Sequence, residues 1–132
     1  MTDMTMTIRQ MCDTYDVTPR TLRFYEAKEL ISPIRQGTKR LYTKRDRARL
    51  TLILRGKRFG FSLEEIRQLL ALYDLGDRQA TQIRATREVA QKHLEGMIAQ
   101  RDDLDKAIDE LRDQLNWADR VLHDMTQTEA AQ

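Results

Sequence analysis

The feature that most constrains this chain is an apolar stripe that repeats at alternating steps of three and four residues from Ala80 to Met125. Twelve of its fourteen positions are apolar, and no proline interrupts it. This heptad pattern predicts one helix of about 70 Å at 1.5 Å per residue. A chain of 132 residues has no core long enough to cover such a stripe, which would overhang its own domain. The pattern therefore predicts a coiled coil with a second copy of the chain.

Eight apolar positions of the stripe are expected to carry the dimer contact. They are Ile83, Leu94, Met97, Leu104, Ile108, Leu111, Leu115 and Leu122. Arg87 and Arg101 are the two charges in the stripe, and Arg101, near its midpoint, is hypothesised to lie close to a dyad and fix the register. Trp117 lies beside the stripe, where it either packs or lines a small-molecule site at the dimer interface.

The two halves of the chain carry opposite charges. Residues 1–60 hold 14 Lys/Arg and 6 Asp/Glu, a net charge of +8, whereas residues 61–132 hold 9 and 15, a net charge of −6. Such asymmetry is typical of a half that faces a polyanion joined to a solvated or oligomerising half. The alternative is that the charged runs are ordinary solvated faces.

Several functional classes find no support in the sequence. Catalytic and phosphate-binding motifs such as GxSxG, GxxxxGK[ST] and GxGxxG are missing, so we expect neither an enzyme nor a bound cofactor. The chain has one cysteine, Cys12, and two histidines thirty residues apart, His93 and His123, so we expect no metal site within one chain. No apolar run approaches the roughly 18 residues of a membrane span, and MTDMTMT does not resemble a signal peptide. We therefore expect a soluble cytoplasmic protein that does not bind membranes.

The first thirty residues predict two helices joined by a tight turn. Thr7 and the glutamine three residues later have the form of a capping box for a helix over about 8–14. Asp16 suits the left-handed conformation of a sharp turn. Thr18 then caps a second helix whose first residue is Pro19, where the missing N–H costs nothing. A helix, a turn and a helix within about twenty residues form the helix-turn-helix pattern, whose DNA-binding versions insert the second helix into the major groove.

The remainder of the first half predicts a wing and two more helices. SPIRQGTKRLYT reads as a β-hairpin with a turn at Gly37 and a basic edge, or else as an ordinary surface loop. A third helix is expected over about 44–59, ended by Gly60, and a fourth after a capping box of Ser62 and Glu65. Gly76 is expected to end that fourth helix. The inward positions of the two helices are expected to be Leu50, Ile53, Leu54, Ile66, Leu69, Leu70 and Tyr73.

The segments VTPRTLRFYE, RLYT and RFGFSLEEIRQLL, followed by the terminal coiled coil, resemble the MerR family of bacterial transcription regulators over about residues 7–125. The resemblance implies a mainly α fold: a winged helix-turn-helix DNA-binding domain with a small β-hairpin wing, then a long C-terminal coiled-coil dimerisation helix that pairs antiparallel. It also implies a homodimer on a palindrome in double-stranded promoter DNA. Distortion of that DNA would act indirectly on RNA polymerase. The corresponding domains are residues 1–76, residues 77–127 and a flexible tail over 128–132.

The resemblance also assigns roles to single residues of the second helix. Thr18 would hold a phosphate, Arg20 and Arg23 would enter the major groove with Thr21 beside them, and Tyr25 would meet the DNA backbone. Phe24 receives no role.

In the wing, Lys39, Arg40 and Tyr42 would contact flanking DNA, and Lys57 would reach a phosphate. The wing lacks the Gly-Tyr-Arg of the metal-sensing members, and the long helix lacks their cysteines, which argues against metal sensing. The run LILRGKRFGFSLEEIRQLLALYD is similar to a subgroup tied to leucine and isovalerate catabolism, and the resemblance allows for a small-molecule effector. The rival from another class is a coiled-coil interaction module whose basic half docks an acidic protein.

Overall fold

The computed structural model describes residues 4–75 and 80–131. Within these ranges the chain forms five helices and three short strands. This confirms the predicted mainly α fold with a β-hairpin wing. In chain order they are β1 (Met6–Thr7), α1 (Ile8–Tyr15), α2 (Pro19–Ala27), β2 (Ile34–Gln36), β3 (Lys39–Tyr42), α3 (Lys44–Arg58), α4 (Leu63–Leu75) and α5 (Ala80–Ala131). The chain divides into two compact units, residues 1–91 and 92–132.

The helix-turn-helix is held by the local contacts that the sequence predicts. At α1 the Thr7 hydroxyl accepts from the backbone N–H of Gln10 at 3.2 Å, and the Gln10 side chain accepts from the N–H of Thr7 at 2.9 Å. Asp16 ends α1 in the left-handed region, with φ 54°. The hydroxyl of Thr18 caps α2, whose first residue is Pro19. Both predicted helices and the turn between them are confirmed.

The wing is an antiparallel hairpin of β2 and β3, and its two-residue turn contains Gly37 at φ 62°. A positive φ favours glycine, so this conformation confirms the turn that was predicted at Gly37. The hairpin gains a third strand, β1, which pairs with β3 so that the strand order is β1-β3-β2. Strand β1 was not predicted, because a strand of two residues is too short to show the alternation of apolar and polar side chains that indicates a strand.

One core binds the three-stranded sheet to helices α1 to α4. Its buried apolar residues are Met11, Leu22, Tyr25, Leu30, Ile31, Tyr42, Leu50, Ile53, Ile66 and Leu70. Helices α3 and α4 pack closely where Gly56 meets Ile66, since a Cβ on Gly56 would lie 3.0 Å from Cγ1 of Ile66. Of the expected inward residues, Leu54 and Leu69 are half-buried, and Tyr73 is 53% exposed. The inward face of α4 is therefore narrower than predicted.

Asp46 is the buried acidic residue of the described core, and it joins the wing to α3. Its carboxylate accepts from the Thr43 N–H at 2.9 Å, and the Thr43 hydroxyl accepts from the Asp46 N–H at 3.2 Å, which together form a capping box. The carboxylate also accepts from the Thr43 hydroxyl at 3.0 Å. It also accepts from the N–H of Ser32 at 3.0 Å, in the loop that leads from α2 to the wing. Asp46 therefore fixes both ends of the hairpin against the start of α3. The Thr-x-x-Asp spacing could have predicted the cap, though not the bond to Ser32.

Helix α5 contains 52 residues, which correspond to about 78 Å at the usual rise. It runs through Ala131, whereas a tail was predicted from residue 128. No glycine or proline ends the helix there, and the hydroxyls of Thr126 and Thr128 donate to carbonyls four residues earlier. The predicted break at Gly76, the adjoining boundary between residues 76 and 77, and residue 132 lie outside the described residues.

Candidate nucleic-acid interface

The N-terminal half of α2 presents a basic surface. Arg20 and Arg23 are exposed, and Thr21 between them is half-buried. The hydroxyl of Thr18 accepts from the N–H of Thr21 at 3.1 Å and lies 2.9 Å from the Thr21 hydroxyl. Thr18 is thus committed to capping α2, and the two arginines are the charged groups that this turn of the helix offers to a ligand.

A surface cavity of about 420 Å³ joins α2 to the end of α3 and the start of α4. Arg20 and Lys57 both line it, and both are exposed. Its other lining residues are Thr21, Phe24, Tyr25, Phe61, Leu63 and Ile66. Two cations predicted separately, 37 positions apart in sequence, therefore lie on one concave surface with an apolar lining. This arrangement suits an anionic polymer that also carries apolar groups, as the sugar–phosphate backbone of DNA does.

Phe24 supplies an exposed aromatic ring on this surface. It is 45% exposed, and its ring packs edge-on against Tyr25 with a centroid separation of 5.7 Å. The ammonium of Lys28 lies 5.7 Å from the centroid of the Phe24 ring, which is within the range of a cation–π contact. Phe24 had no role in the sequence-based prediction, although its position one turn after Arg20 places both side chains on the same face of α2.

Two tyrosines predicted to meet DNA lie in the core instead of on the surface. Tyr25 is 3% exposed and Tyr42 is fully buried. Tyr42 and Arg40 are two positions apart on β3, so both side chains point to the same side of the sheet, toward α2. The hydroxyl of Tyr42 finds no hydrogen-bond partner among the described residues. Burial, and then the nearby Glu26 carboxylate, raise the pKa of Tyr42 above its ordinary value. Tyr42 therefore has no exposed surface with which to contact DNA.

Tyr42→Phe tests this reassignment. Removing a buried hydroxyl that lacks a partner should raise the free energy of unfolding by about 1 kcal/mol, because its desolvation is no longer a cost of folding. DNA affinity should stay unchanged, since the hydroxyl is not at the surface. Denaturant unfolding and a binding titration measure the two quantities. A fall in DNA affinity without a fall in stability would restore Tyr42 to the interface.

The wing arginines are engaged within the protein. Arg40 Nε donates to Glu26 Oε2 at 2.9 Å, and Arg35 Nε donates to Glu26 Oε1 at 3.2 Å. Glu26 lies on α2, so its carboxylate joins the second helix to both strands of the hairpin. Lys39 is exposed at the start of β3 and has no ion pair among the described residues. Of the predicted wing contacts, Lys39 is therefore the cation that remains free.

Other arginines of the basic half also serve the fold. Arg45 and Arg49 donate to the carboxylate of Asp74 at 2.9 and 2.8 Å, and the guanidinium of Arg47 donates to the Met4 carbonyl at 2.8 Å. A second set is exposed, and its side chains make no hydrogen bond or ion pair to any described residue. This set is Arg9, Arg20, Arg23, Lys28, Lys39, Lys44, Arg55, Lys57 and Arg58. The positive charge available for binding is thus concentrated on α2, the end of α3 and the wing.

The apolar stripe of α5 is exposed along the single chain. The eight predicted dimer positions are between 38% and 62% exposed: Ile83, Leu94, Met97, Leu104, Ile108, Leu111, Leu115 and Leu122. Arg101 bonds to its neighbour Asp102 at 3.2 Å, and Trp117 is 57% exposed. A row of large apolar side chains in water marks an interaction surface.

Within residues 4–75 and 80–131 no group of three or more His, Cys, Asp or Glu side chains is arranged to hold a metal ion. Across the same ranges, no helix has the length and apolar character needed to cross a membrane. Cys12 is half-buried beside the core, where burial raises the pKa of its thiol above the ordinary value.

Comparison with known proteins agrees with this geometry. Residues 47–114 match the family described as "MerR, DNA binding", and residues 6–72 match the "MerR HTH family regulatory protein" family. The transcriptional regulator HmrR of Rhizobium leguminosarum bv. viciae is 33% identical over 119 residues, which cover 89% of this chain and 84% of HmrR. The regulator ZntR of Escherichia coli K12 is 40% identical over 67 residues, 49% of this chain and about half (48%) of ZntR.

A solved structure extends the comparison to the bound state of a relative. HiNmlR, a MerR family regulator lacking the sensor domain, was crystallised bound to promoter DNA. Its fold matches with a TM-score of 0.60 at 26% identity, over 74% of this chain and 75% of that one. Sequence, fold and the relatives' regulatory names therefore agree, and the chain belongs to the MerR family of DNA-binding transcription regulators.

Proposed function

We propose that the chain binds a palindrome in promoter DNA as a homodimer and distorts that DNA to control transcription. The observation that carries the proposal is the meeting of Arg20 and Lys57 on one exposed cavity next to the second helix of the helix-turn-helix. Neither cation has an acidic partner among the described residues, so both charges are available to phosphates or base edges. HiNmlR, a relative of the same fold, is seen on promoter DNA.

In this proposal each exposed cation has its own task. Arg20 and Arg23 enter the major groove, where arginine pairs bidentately with guanine, and Thr21 lies beside them. Lys57 holds a phosphate next to the cavity, and Lys39 meets the DNA that flanks the groove. Thr18 supports the interface by capping α2. Residues 1–76 act as the DNA-binding domain and residues 77–127 as the dimerisation helix.

We further propose that the two α5 helices pair antiparallel with the dyad between Asp102 and Asp103. The fourteen stripe positions are symmetric about this point, so each position faces the one at the same distance on the other side of the dyad in the partner. Ala80, for example, faces the partner's Met125. Arg101 then faces the partner's Leu104, and Leu94 faces the partner's Leu111. A parallel pairing would instead place each Arg87 and each Arg101 against its own copy inside the seam, where like charges repel.

Charges beside the stripe favour the same register. Arg84 and Asp119 both directly follow a stripe position on the same side of α5, and both are exposed. The antiparallel register brings Arg84 next to the partner's Asp119, at an offset of about two residues along the helix that flanking positions have relative to the stripe pairs. The dyad repeats this pair. Opposite charges at such flanking positions set the orientation of coiled coils.

The proposed target places the protein in the cytoplasm of a bacterial cell, where promoter DNA lies, and any effect on RNA polymerase would pass through the DNA. An effector, including one from leucine or isovalerate catabolism, stays a prediction.

Selection of bound fragments from genomic DNA tests the proposed function. We expect one palindromic sequence to be enriched, protected symmetrically about its centre, and located in a promoter. Recovery of fragments with no common sequence would contradict it. The genes next to the enriched site would also suggest the class of effector.

A further inference from the structure

Glu26 connects the DNA-reading helix to the wing through two arginines. Its Oε2 lies 2.9 Å from Arg40 Nε, and its Oε1 lies 3.1 Å from the terminal nitrogen of Arg35. The side chain of Glu26 is 16% exposed and that of Arg40 is 21% exposed, so this half of the contact is partly shielded from water. The Arg35 side chain is 59% exposed, and its half is accordingly weaker.

The two arginines are direct cross-strand neighbours in the hairpin, with Arg35 paired to Arg40 in the register of β2 and β3. Side chains of directly opposed residues share one face of a sheet, and like charges in that arrangement destabilise the pairing. A carboxylate that accepts from both guanidinium groups offsets this repulsion. The same two contacts tie the hairpin to α2, on which Glu26 lies.

We propose that Glu26 is a positioning residue for DNA binding, which holds the wing at the angle and distance from α2 that lets Lys39 reach the DNA flanks. The inference rests on the proposed function. Glu26 itself carries a negative charge on the helix proposed for the groove, where it would repel DNA. Its contribution to binding is therefore indirect, through the hairpin.

The sign of the effect separates this role from simple electrostatics. Glu26→Gln removes one negative charge from the DNA-binding domain, so long-range electrostatics alone predicts tighter binding. The positioning role predicts about tenfold weaker binding to the full palindromic duplex recovered by genomic selection, because a displaced wing loses its contacts with the flanking DNA. On a duplex trimmed of its outer base pairs, where the wing contact is absent, the variant should bind as tightly as wild type or slightly more tightly. Hydroxyl-radical footprints should lose protection at the flanks and keep it at the centre.

Matched variants complete the experiment. Glu29→Gln removes the same charge two residues beyond the end of α2, from an exposed side chain without an ion pair among the described residues, and should leave affinity unchanged or slightly higher. In a Lys39→Ala background, Glu26→Gln should lose most of its effect, because the wing contact on which it acts is already gone. Glu26→Asp keeps the negative charge but shortens the side chain by one methylene, so electrostatics alone predicts no change in affinity. The positioning role predicts a smaller loss than that of Glu26→Gln, with the same dependence on duplex length.

Two outcomes would overturn the proposal. The positioning role would be refuted if Glu26→Gln bound the full duplex as tightly as wild type or more tightly. An equal loss on full and trimmed duplexes would show a general structural effect, and thermal unfolding of each variant identifies loss of folded protein. Glu26→Asp decides the matter if Glu26→Gln does not fold. Failure of the wild-type protein to prefer the selected duplex would instead refute the proposed function itself.

Discussion

Leu94→Glu is expected to turn the dimer into a monomer and to lower affinity for the palindrome by at least roughly 100-fold, because linked half-site binding is lost. In the proposed register each Leu94 faces the partner's Leu111, so one substitution buries two unpaired carboxylates per dimer. An uncompensated buried charge costs about 3–5 kcal/mol, which exceeds the contribution of one apolar layer. Light scattering after gel filtration gives the mass, and a titration on the palindromic duplex gives the affinity.

A compensating substitution tests the direction of the helices. Leu94→Glu combined with Leu111→Lys places opposite charges together if the helices run antiparallel about the point between Asp102 and Asp103, and the dimer should return. In a parallel pairing, each new charge would meet its own copy and the double variant would stay monomeric. Ala99→Glu adds the same charge away from the stripe and should leave the dimer intact. Lack of rescue in the double variant would contradict the proposed register.

Arg20→Ala should cost roughly 1–3 kcal/mol of binding free energy on the palindrome and relax the sequence preference at one position of each half-site. The reason is that Arg20 is exposed near the start of α2 and is free of ion pairs within the described structure, as a residue that reads a base edge must be. Binding to a library of single-base variants of the palindrome measures both effects.

Lys57→Ala serves as the contrast, because loss of a phosphate contact should weaken binding to palindromic and random DNA about equally. It should also reduce the slope of the logarithm of the association constant against the logarithm of salt concentration by about one. Arg120→Ala, an exposed position outside the stripe of α5, makes the same change in charge and should have little effect. Equal losses on palindromic and random DNA for Arg20→Ala would refute its assignment to base reading.

Features that depend on a few neighbouring residues could be predicted from the sequence. The caps at Thr7, Thr18 and Ser62 involve groups within three positions of one another, and each forms as expected. The hairpin turn at Gly37 likewise follows from a backbone conformation that glycine favours. The stripe of α5 was readable because a heptad period persists over many turns.

Features that depend on which surfaces meet could not be predicted in this way. At 100° per residue Glu26 falls on the same side of α2 as Leu22, four positions earlier, yet nothing in the local sequence indicates that two wing arginines converge on its carboxylate. The burial of Tyr42 follows from the packing of β3 against the helices, and the sequence of the wing alone leaves both faces of that strand possible. Division of the cations into structural and exposed sets needs the same long-range knowledge.

The most direct test of the central claim, a dimer that reads a DNA sequence, is a salt titration on the selected palindrome and on a scrambled duplex of equal length. We predict that the logarithm of the association constant falls steeply with the logarithm of salt concentration on both duplexes, as several phosphate contacts require. At physiological salt the palindrome should bind at least roughly 1,000-fold more tightly. Micromolar or weaker binding, equal on both duplexes, would contradict the account and favour a coiled-coil module whose basic half docks an acidic protein.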